Sequence, residues 1–215
     1  MRVVAVNIGQ PLQVQTGGRS VLTSIFKKPA SGPVKVGRLN LEGDRQADLT
    51  VHGGFNKAVY VYPSEHYSYW REELRDSELG WGTFGENLTT EGLFESAVHI
   101  GDRLQIGSAI FQVSQPRMPC FKLAVRMNRP DMVKRFWASG RSGFYLSVVR
   151  EGALKAGDGI DRTALGQPPV SVAEMVRLYR DPNPSREELL RALATPLSPE
   201  WKTELRERLV LARGL

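Results

Sequence analysis

Cysteine is almost missing: Cys120 is the only one in 215 residues, and there are only three histidines. A lone thiol makes no internal disulfide. Structural zinc wants about four Cys or His ligands at short spacing, and an iron–sulfur cluster wants several cysteines; neither set is present. Long apolar runs are absent too. No segment approaches the ~20 apolar residues of a membrane span, and the stretch after Met1-Arg2 is too short for the core of a signal peptide. The expectation is a soluble protein with no membrane partner, kept in the reducing cytoplasm.

Runs of one charge are also lacking. The net charge is +6, from 29 Lys and Arg against 23 Asp and Glu, but the cations alternate with acids, as in Arg71-Glu72-Glu73-Leu74-Arg75. Nucleic-acid binding leaves a patterned basic stripe, so no nucleic-acid partner is expected. Hydrophobic residues make up 41% and charged ones 24%, the proportions of a folded globular chain rather than a disordered one.

Two regimes follow one another. Residues 1–165 are rich in Gly and in short β-branched or aromatic runs: Val3–Ile8, Ser24–Lys28, Val34–Val36, Ala58–Tyr62, Val98–Ile100, Arg103–Ile106, Ala109–Ser114 and Phe144–Val149. Such runs suit a pleated, half-buried surface. Gly101-Asp102 and Gly107-Ser108 read as hairpin-type turns between them. Helix is expected only at Ser64–Leu74, Lys122–Met127 and Pro130–Ala138. Many short strands with few helices predict a mainly β fold, a barrel or sandwich. Gly166-Gln167-Pro168-Pro169 then breaks the pattern, and residues 171–215 form a second, helical unit. Ser171-Val172-Ala173-Glu174 and Ser185-Arg186-Glu187-Glu188 fit capping boxes, and Ser198-Pro199 fits an N-cap followed by Pro. Trp201, Leu205 and Leu209 recur every fourth position as one buried stripe, and Gly214 fits the stop. About 45 residues bury little alone, so this bundle should pack on the barrel.

Three motifs bear on chemistry. Gly80-Trp81-Gly82-Thr83-Phe84-Gly85 matches the dinucleotide pattern G-x-G-x-x-G, but that pattern has meaning only between a strand and a helix. Here a polar, helix-like stretch precedes it and Glu86-Asn87-Leu88-Thr89-Thr90 follows. The glycines point instead to a sharply bent backbone or a close approach to a ligand. In Gln115-Pro116-Arg117-Met118-Pro119-Cys120-Phe121-Lys122, two prolines stiffen a loop that ends in the cysteine. Arg117 and Lys122 flank it, and positive charge suits a thiolate, the form that binds metals and attacks electrophiles. A buried structural cysteine is the plain alternative. In Leu41-Glu42-Gly43-Asp44-Arg45 and Val51-His52-Gly53-Gly54-Phe55-Asn56-Lys57, the paired glycines let amides face a ligand. Arg45, His52 and Lys57 could donate to its oxygens. A polar turn between strands is the plain alternative there.

The ordered set Leu-Glu-Gly-Asp, Val-His-Gly-Gly, Phe-Gly-Glu-Asn and Gln-Pro-Arg-x-Pro-Cys resembles the MOSC family, named for the molybdenum cofactor sulfurase C-terminal domain. It is most similar to the stand-alone bacterial type with a three-helix C-terminal extension, so the resemblance covers nearly the whole chain. Asn56 departs from a frequent Asp of the family. The resemblance implies a β-barrel like the small barrel domain of pyruvate kinase, over residues 1–165, with a three-helix domain over 171–215. It implies a molybdenum cofactor (molybdopterin) with Cys120 as the protein ligand to the metal. Arg45, His52, Gly53, Gly54, Lys57, Gly85, Glu86, Asn87, Gln115, Arg117 and Lys122 would hold the cofactor, and His52 would give the proton. The implied reaction is reduction of N-hydroxylated small molecules, such as hydroxylaminopurine-like base analogues, by oxygen-atom transfer. A separate reductase protein would supply the electrons. A cofactor or sulfur carrier without turnover is the alternative.

Overall fold

The computed structural model describes the chain except residues 49–52, 76–77, 165–168 and 212–215. Among the described residues the strands are β1 (Arg2–Ile8), β2 (Leu12–Thr16), β3 (Arg19–Thr23), β4 (Lys28–Pro29), β5 (Val34–Val36), β6 (Val59–Pro63), β7 (Leu88–Glu91), β8 (Arg103–Ile106), β9 (Ala109–Pro116), β10 (Phe144–Arg150), β11 (Gly152–Leu154) and β12 (Ile160–Thr163). The helices are α1 (His66–Leu74), α2 (Phe121–Met127), α3 (Met132–Ser139), α4 (Val172–Arg180), α5 (Arg186–Leu193) and α6 (Pro199–Leu211).

Eight strands form one sheet in the order β12-β8-β9-β10-β6-β7-β1-β4. Its neighbours are antiparallel except β6 and β7, which run parallel because α1 and the glycine loop intervene. The sheet curls on itself. Val3 N–H donates to Asp158 O (2.9 Å), Gly157 N–H to Val3 O (2.8 Å) and Ile160 N–H to Met1 O (3.1 Å), which draws the lead into β12 against β1. The expected β-barrel follows, with Leu104, Ile106, Phe111, Val113, Leu146 and Val148 buried in its core. Gly107-Ser108 closes the β8–β9 hairpin, with Ile106 opposite Ala109.

Two expected strands are corrected. Ser24–Lys28 is not a strand before Lys28, because the backbone bonds locally: Ile25 N–H donates to Thr23 Oγ1 (3.2 Å) and Lys27 N–H to Ile25 O (2.9 Å). Val98–Ile100 is no strand of the sheet but makes a single antiparallel bridge, His99 opposite Ser171, that receives the tail. Val172 N–H reaches Val98 O and Ile100 N–H reaches Val170 O, both at 2.9 Å. The β2–β3 hairpin around Gly17-Gly18 was not expected, although Leu12-Gln13-Val14-Gln15 alternates apolar and polar residues before a Gly-Gly turn; β7, β11 and β12 carry too little apolar alternation to be expected. The three helices of the first regime stand within two residues of their predicted limits.

In the tail, Ser171 and Ser185 each close a capping box, with Glu174 and Glu188. Ser198 Oγ accepts from Trp201 N–H (3.4 Å). Val172, Met175, Leu189, Trp201 and Leu205 are buried in the same apolar cluster as barrel residues Ile100, Phe111 and Val113. Each such side chain is worth roughly 1.5–3 kcal/mol when fully buried. A second cluster, mostly aromatic, packs Tyr62, Tyr67, Trp70, Phe84 and Phe136 under α1 and α3. Among the described residues no helix is long and apolar enough to cross a membrane.

Candidate cofactor-binding cleft

Beside the barrel lies an open cleft of about 660 Å³. Four segments distant in sequence build it. The stretch after β3 brings Thr23, Ser24, Ile25 and Lys27; the turn after β5 brings Asp44 and Arg45; Gly53 and Lys57 come before β6; the loop after β9 brings Arg117, Met118 and Cys120. Phe84, Gly85, Asn87, Lys122, Tyr60 and Tyr145 complete the wall.

Cys120 is the N-cap residue of α2, with extended backbone (φ −120°, ψ 168°), and its thiol is free and half-buried. Pro116 and Pro119 hold the loop that delivers it, and Arg117 N–H donates to Gly143 O (3.3 Å). Arg117 itself is buried, with its guanidinium 5.2 Å from the centre of the Tyr60 ring and 4.8 Å from that of Phe136. Its Nη1 is buried and has no hydrogen-bond partner among the described residues. A guanidinium stays charged, so an unpaired buried donor in a cleft wall is costly unless an anion meets it. Lys122 on α2 is also almost buried, and Arg45 and Lys57 add two further cations. Burial pushes the hydroxyls of Tyr60 and Tyr145 above the ordinary phenol range, so both stay protonated.

The floor is a web of buried polar groups. Asp44 Oδ1 accepts from the Lys27 ammonium and from Gly9 N–H (2.8 Å), and Oδ2 accepts from Asn87 Nδ2 (2.9 Å). Asn87 Oδ1 in turn accepts from Tyr60 N–H (3.1 Å), pinning the floor to β6. Burial drives the Lys27 ammonium below the ordinary lysine range, and the adjacent Asp44 offsets part of that. The glycine loop packs against this stretch. Gly82 (φ +85°) and Gly85 (φ +81°) are left-handed, and a Cβ would meet Lys27 O at 2.9 Å or Ile25 Cγ1 at 2.8 Å. Residues 80–85 are turns that open into no helix, so the dinucleotide pattern is a close-packing device here.

Of the residues singled out from the sequence, Arg45, Gly53, Lys57, Gly85, Asn87, Arg117, Cys120 and Lys122 meet on this cleft. Three do not. Glu86 is fully buried behind the glycine loop, where its carboxylate accepts from Tyr67 OH, Gly82 N–H (2.8 Å), Phe84 N–H (3.1 Å) and Thr89 Oγ1 (2.8 Å). Burial holds its carboxyl above the ordinary range against the pull of Tyr67 and the other donors. It shapes the wall from behind. Gly54 is exposed and begins the short 3-10 turn Phe55–Lys57 outside the lining. Gln115 faces a second, neighbouring cleft. His52 lies outside the described residues. Sequence reasoning missed Lys27, Tyr60 and Tyr145 as wall residues. Asp44 was visible in Leu-Glu-Gly-Asp, but Lys27 stood in a stretch read as strand and the tyrosines in ordinary strands.

Among the described residues no group of three or more His, Cys, Asp or Glu converges as a metal cage. A metal at Cys120 would therefore need most of its other ligands from a cofactor. Barrel, cysteine loop and basic cleft together define a recognisable class: residues 48–161 match the MOSC domain model, more than half of the chain, and the chain belongs to the MOSC domain family. Residues 170–210 match the YiiM-like 3-alpha helix domain, so within that family it has the YiiM-like architecture. It is 43% identical over 180 residues to the uncharacterized protein YflK of Bacillus subtilis, covering 83% of this chain and 81% of that one. The crystal structure of YiiM from Geobacillus stearothermophilus superposes with a TM-score of 0.81 at 34% identity, over 97% of this chain and 98% of that chain. A protein of Gibberella moniliformis named a reductase is 33% identical over 94% of this chain, which spans only 37% of that longer protein.

Proposed function

We propose that this chain anchors a molybdenum cofactor in the basic cleft through Cys120 and reduces the N–O bond of small N-hydroxylated compounds. The observation that carries the reading is the free Cys120 thiol on the wall of a cleft where Nη1 of the buried Arg117 guanidinium has no hydrogen-bond partner among the described residues. Family membership supports the molybdenum link, and the reductase-named relative supports redox chemistry.

The residues fit such a group. A thiolate is a soft ligand for a thiophilic metal. Arg45, Lys57, Arg117 and Lys122 offer charge to an anionic phosphate, Arg117 through the unsatisfied Nη1. Gly53 and Gly85 belong to the same wall, where Gln46 and Ile25 pack too closely to admit a Cβ. When bound, the cofactor would supply two-electron redox chemistry, by which R–NHOH with two electrons and two protons gives R–NH2 and water. The chain's own task is to orient both partners and keep the floor rigid through Lys27, Asp44 and Asn87. The electrons would come from a separate electron-donor protein, since no cysteine cluster exists to carry them. A single open thiol ligand suits a reducing compartment such as the cytoplasm.

The test is metal analysis of wild type and Cys120→Ser made in a host that synthesises the cofactor. The expected result is molybdenum stoichiometric with wild type and lost from the variant. Equal metal in both, or metal in neither, would overturn the anchor. Turnover of 6-hydroxylaminopurine with an artificial reductant is expected from loaded wild type. A loaded but inactive protein would favour the carrier reading.

A further inference from the structure

A second cleft, of about 1080 Å³, shares Cys120, Lys57, Met118 and Tyr145 with the first and is closed on its far side by the helical tail. Its chemistry is the reverse of its neighbour's. Glu200 and Glu204, one turn apart on α6, supply two carboxylates; Trp201 and Tyr179 supply aromatic surface, their ring centres 5.2 Å apart. The basic cleft gathers Arg45, Lys57, Arg117 and Lys122, while among the described residues Lys57 alone supplies a cationic side chain here, shared between the two; the backbone N–H of Glu200 and then Ser198 hold the Glu200 carboxyl below the ordinary range, and Lys57 adds a smaller pull. The inner wall carries an independent sign of a ligand. Gln115 is 3% exposed, lines the cleft from β9, and its Oε1 is buried with no hydrogen-bond partner among the described residues. A buried acceptor left unmet is costly, so this oxygen awaits a donor.

We propose that the second cleft is the substrate entrance, and that it selects uncharged or cationic, donor-rich planar compounds and turns away phosphorylated ones. Gln115 accepts a hydrogen bond from the substrate, the half-buried Tyr179, backed by the largely buried Trp201, presents aromatic surface to its ring, and Glu200 and Glu204 repel added negative charge. The tail is thus a wall of the site. This assignment rests on the reading that the redox group sits at Cys120, where the two clefts meet.

Binding separates the two readings. Wild type, Gln115→Leu and the double variant Glu200→Gln/Glu204→Gln, each loaded and checked for equal metal, are titrated by calorimetry without reductant. The ligands are 6-hydroxylaminopurine and its ribonucleoside 5′-monophosphate. Wild type should bind the free base at least about tenfold more tightly, the order expected when two exposed carboxylates, one of them eased by Lys57, meet a doubly charged phosphate at close range. The double variant should narrow that ratio to roughly threefold or less by gaining affinity for the nucleotide. Gln115→Leu should lose about tenfold for the base, the scale of one hydrogen bond. An unchanged ratio in the double variant, or unchanged base affinity in Gln115→Leu with its fold intact by circular dichroism, overturns the proposal. The expected binding pattern without turnover would sink the reductase reading and leave the entrance assignment standing.

Discussion

The floor of the basic cleft holds one buried ion pair and the outer face of the tail holds exposed ones, and the two regions are held in opposite ways. Lys27 and Asp44 pair with side chains 8% and 0% exposed, and both carboxylate oxygens of Asp44 are committed to Lys27, Gly9 or Asn87. Arg177–Glu188 and Arg191–Glu174 join α4 to α5 at the surface. A surface pair that breaks returns two ions to water at little cost, whereas a buried pair that loses one member strands the other. The difference teaches where rigidity is concentrated: under the cysteine loop, where a cofactor must be oriented, and not in the tail, whose helices stand on local caps and a buried apolar face.

The largest effect should come from attacking the floor. Asp44→Ala leaves the Lys27 ammonium buried and unpaired and is expected to cost about 3–5 kcal/mol in urea unfolding. If it costs less than a tail cap, the comparison fails. A cap is the intermediate case. Ser185→Ala removes the acceptor for Glu188 N–H and should cost about 1 kcal/mol, read as a lower melting temperature with molybdenum content unchanged. Metal loss in that variant would mean that floor and tail are more tightly coupled than their bonding indicates. The smallest effect belongs to surface charge. Arg177 first, then the Ser185 donors, hold the Glu188 carboxyl at about 2, below the ordinary glutamate value near ~4.3. A depressed folded value means the contribution is present above the ordinary value and drains away as pH falls toward 2. The helical circular dichroism of wild type should therefore weaken over that acid range. Glu188→Gln, which still closes the capping box, should flatten this limb. Superimposable acid titrations would remove Glu188 from the account.

Legibility followed the range of the forces involved. Ser171 with Glu174, and Ser185 with Glu188, were readable because a capping box joins residues three apart. The helices at α1, α2 and α3 and the β8–β9 hairpin were readable for the same local reason. β7 was not: Leu88-Thr89-Thr90 looks polar, yet all three are fully buried because β6 and β1 enclose them and Thr89 bonds Asn7 and Glu86. Ser24–Lys28 looked like strand by composition, but its backbone turns to line the cleft.

By itself the sequence determined that one thiol is available, that two prolines and two cations surround it, and which segments cap as helices, since these depend on neighbours along the chain. Only the tertiary structure decided that Glu86 turns inward while Asn87 reaches the cleft, that Lys27 sits across from Asp44, and that Gln115 opens on the acidic side under α6. Those outcomes depend on which distant segments close around each side chain and exclude water from it, and that is a property of the folded packing.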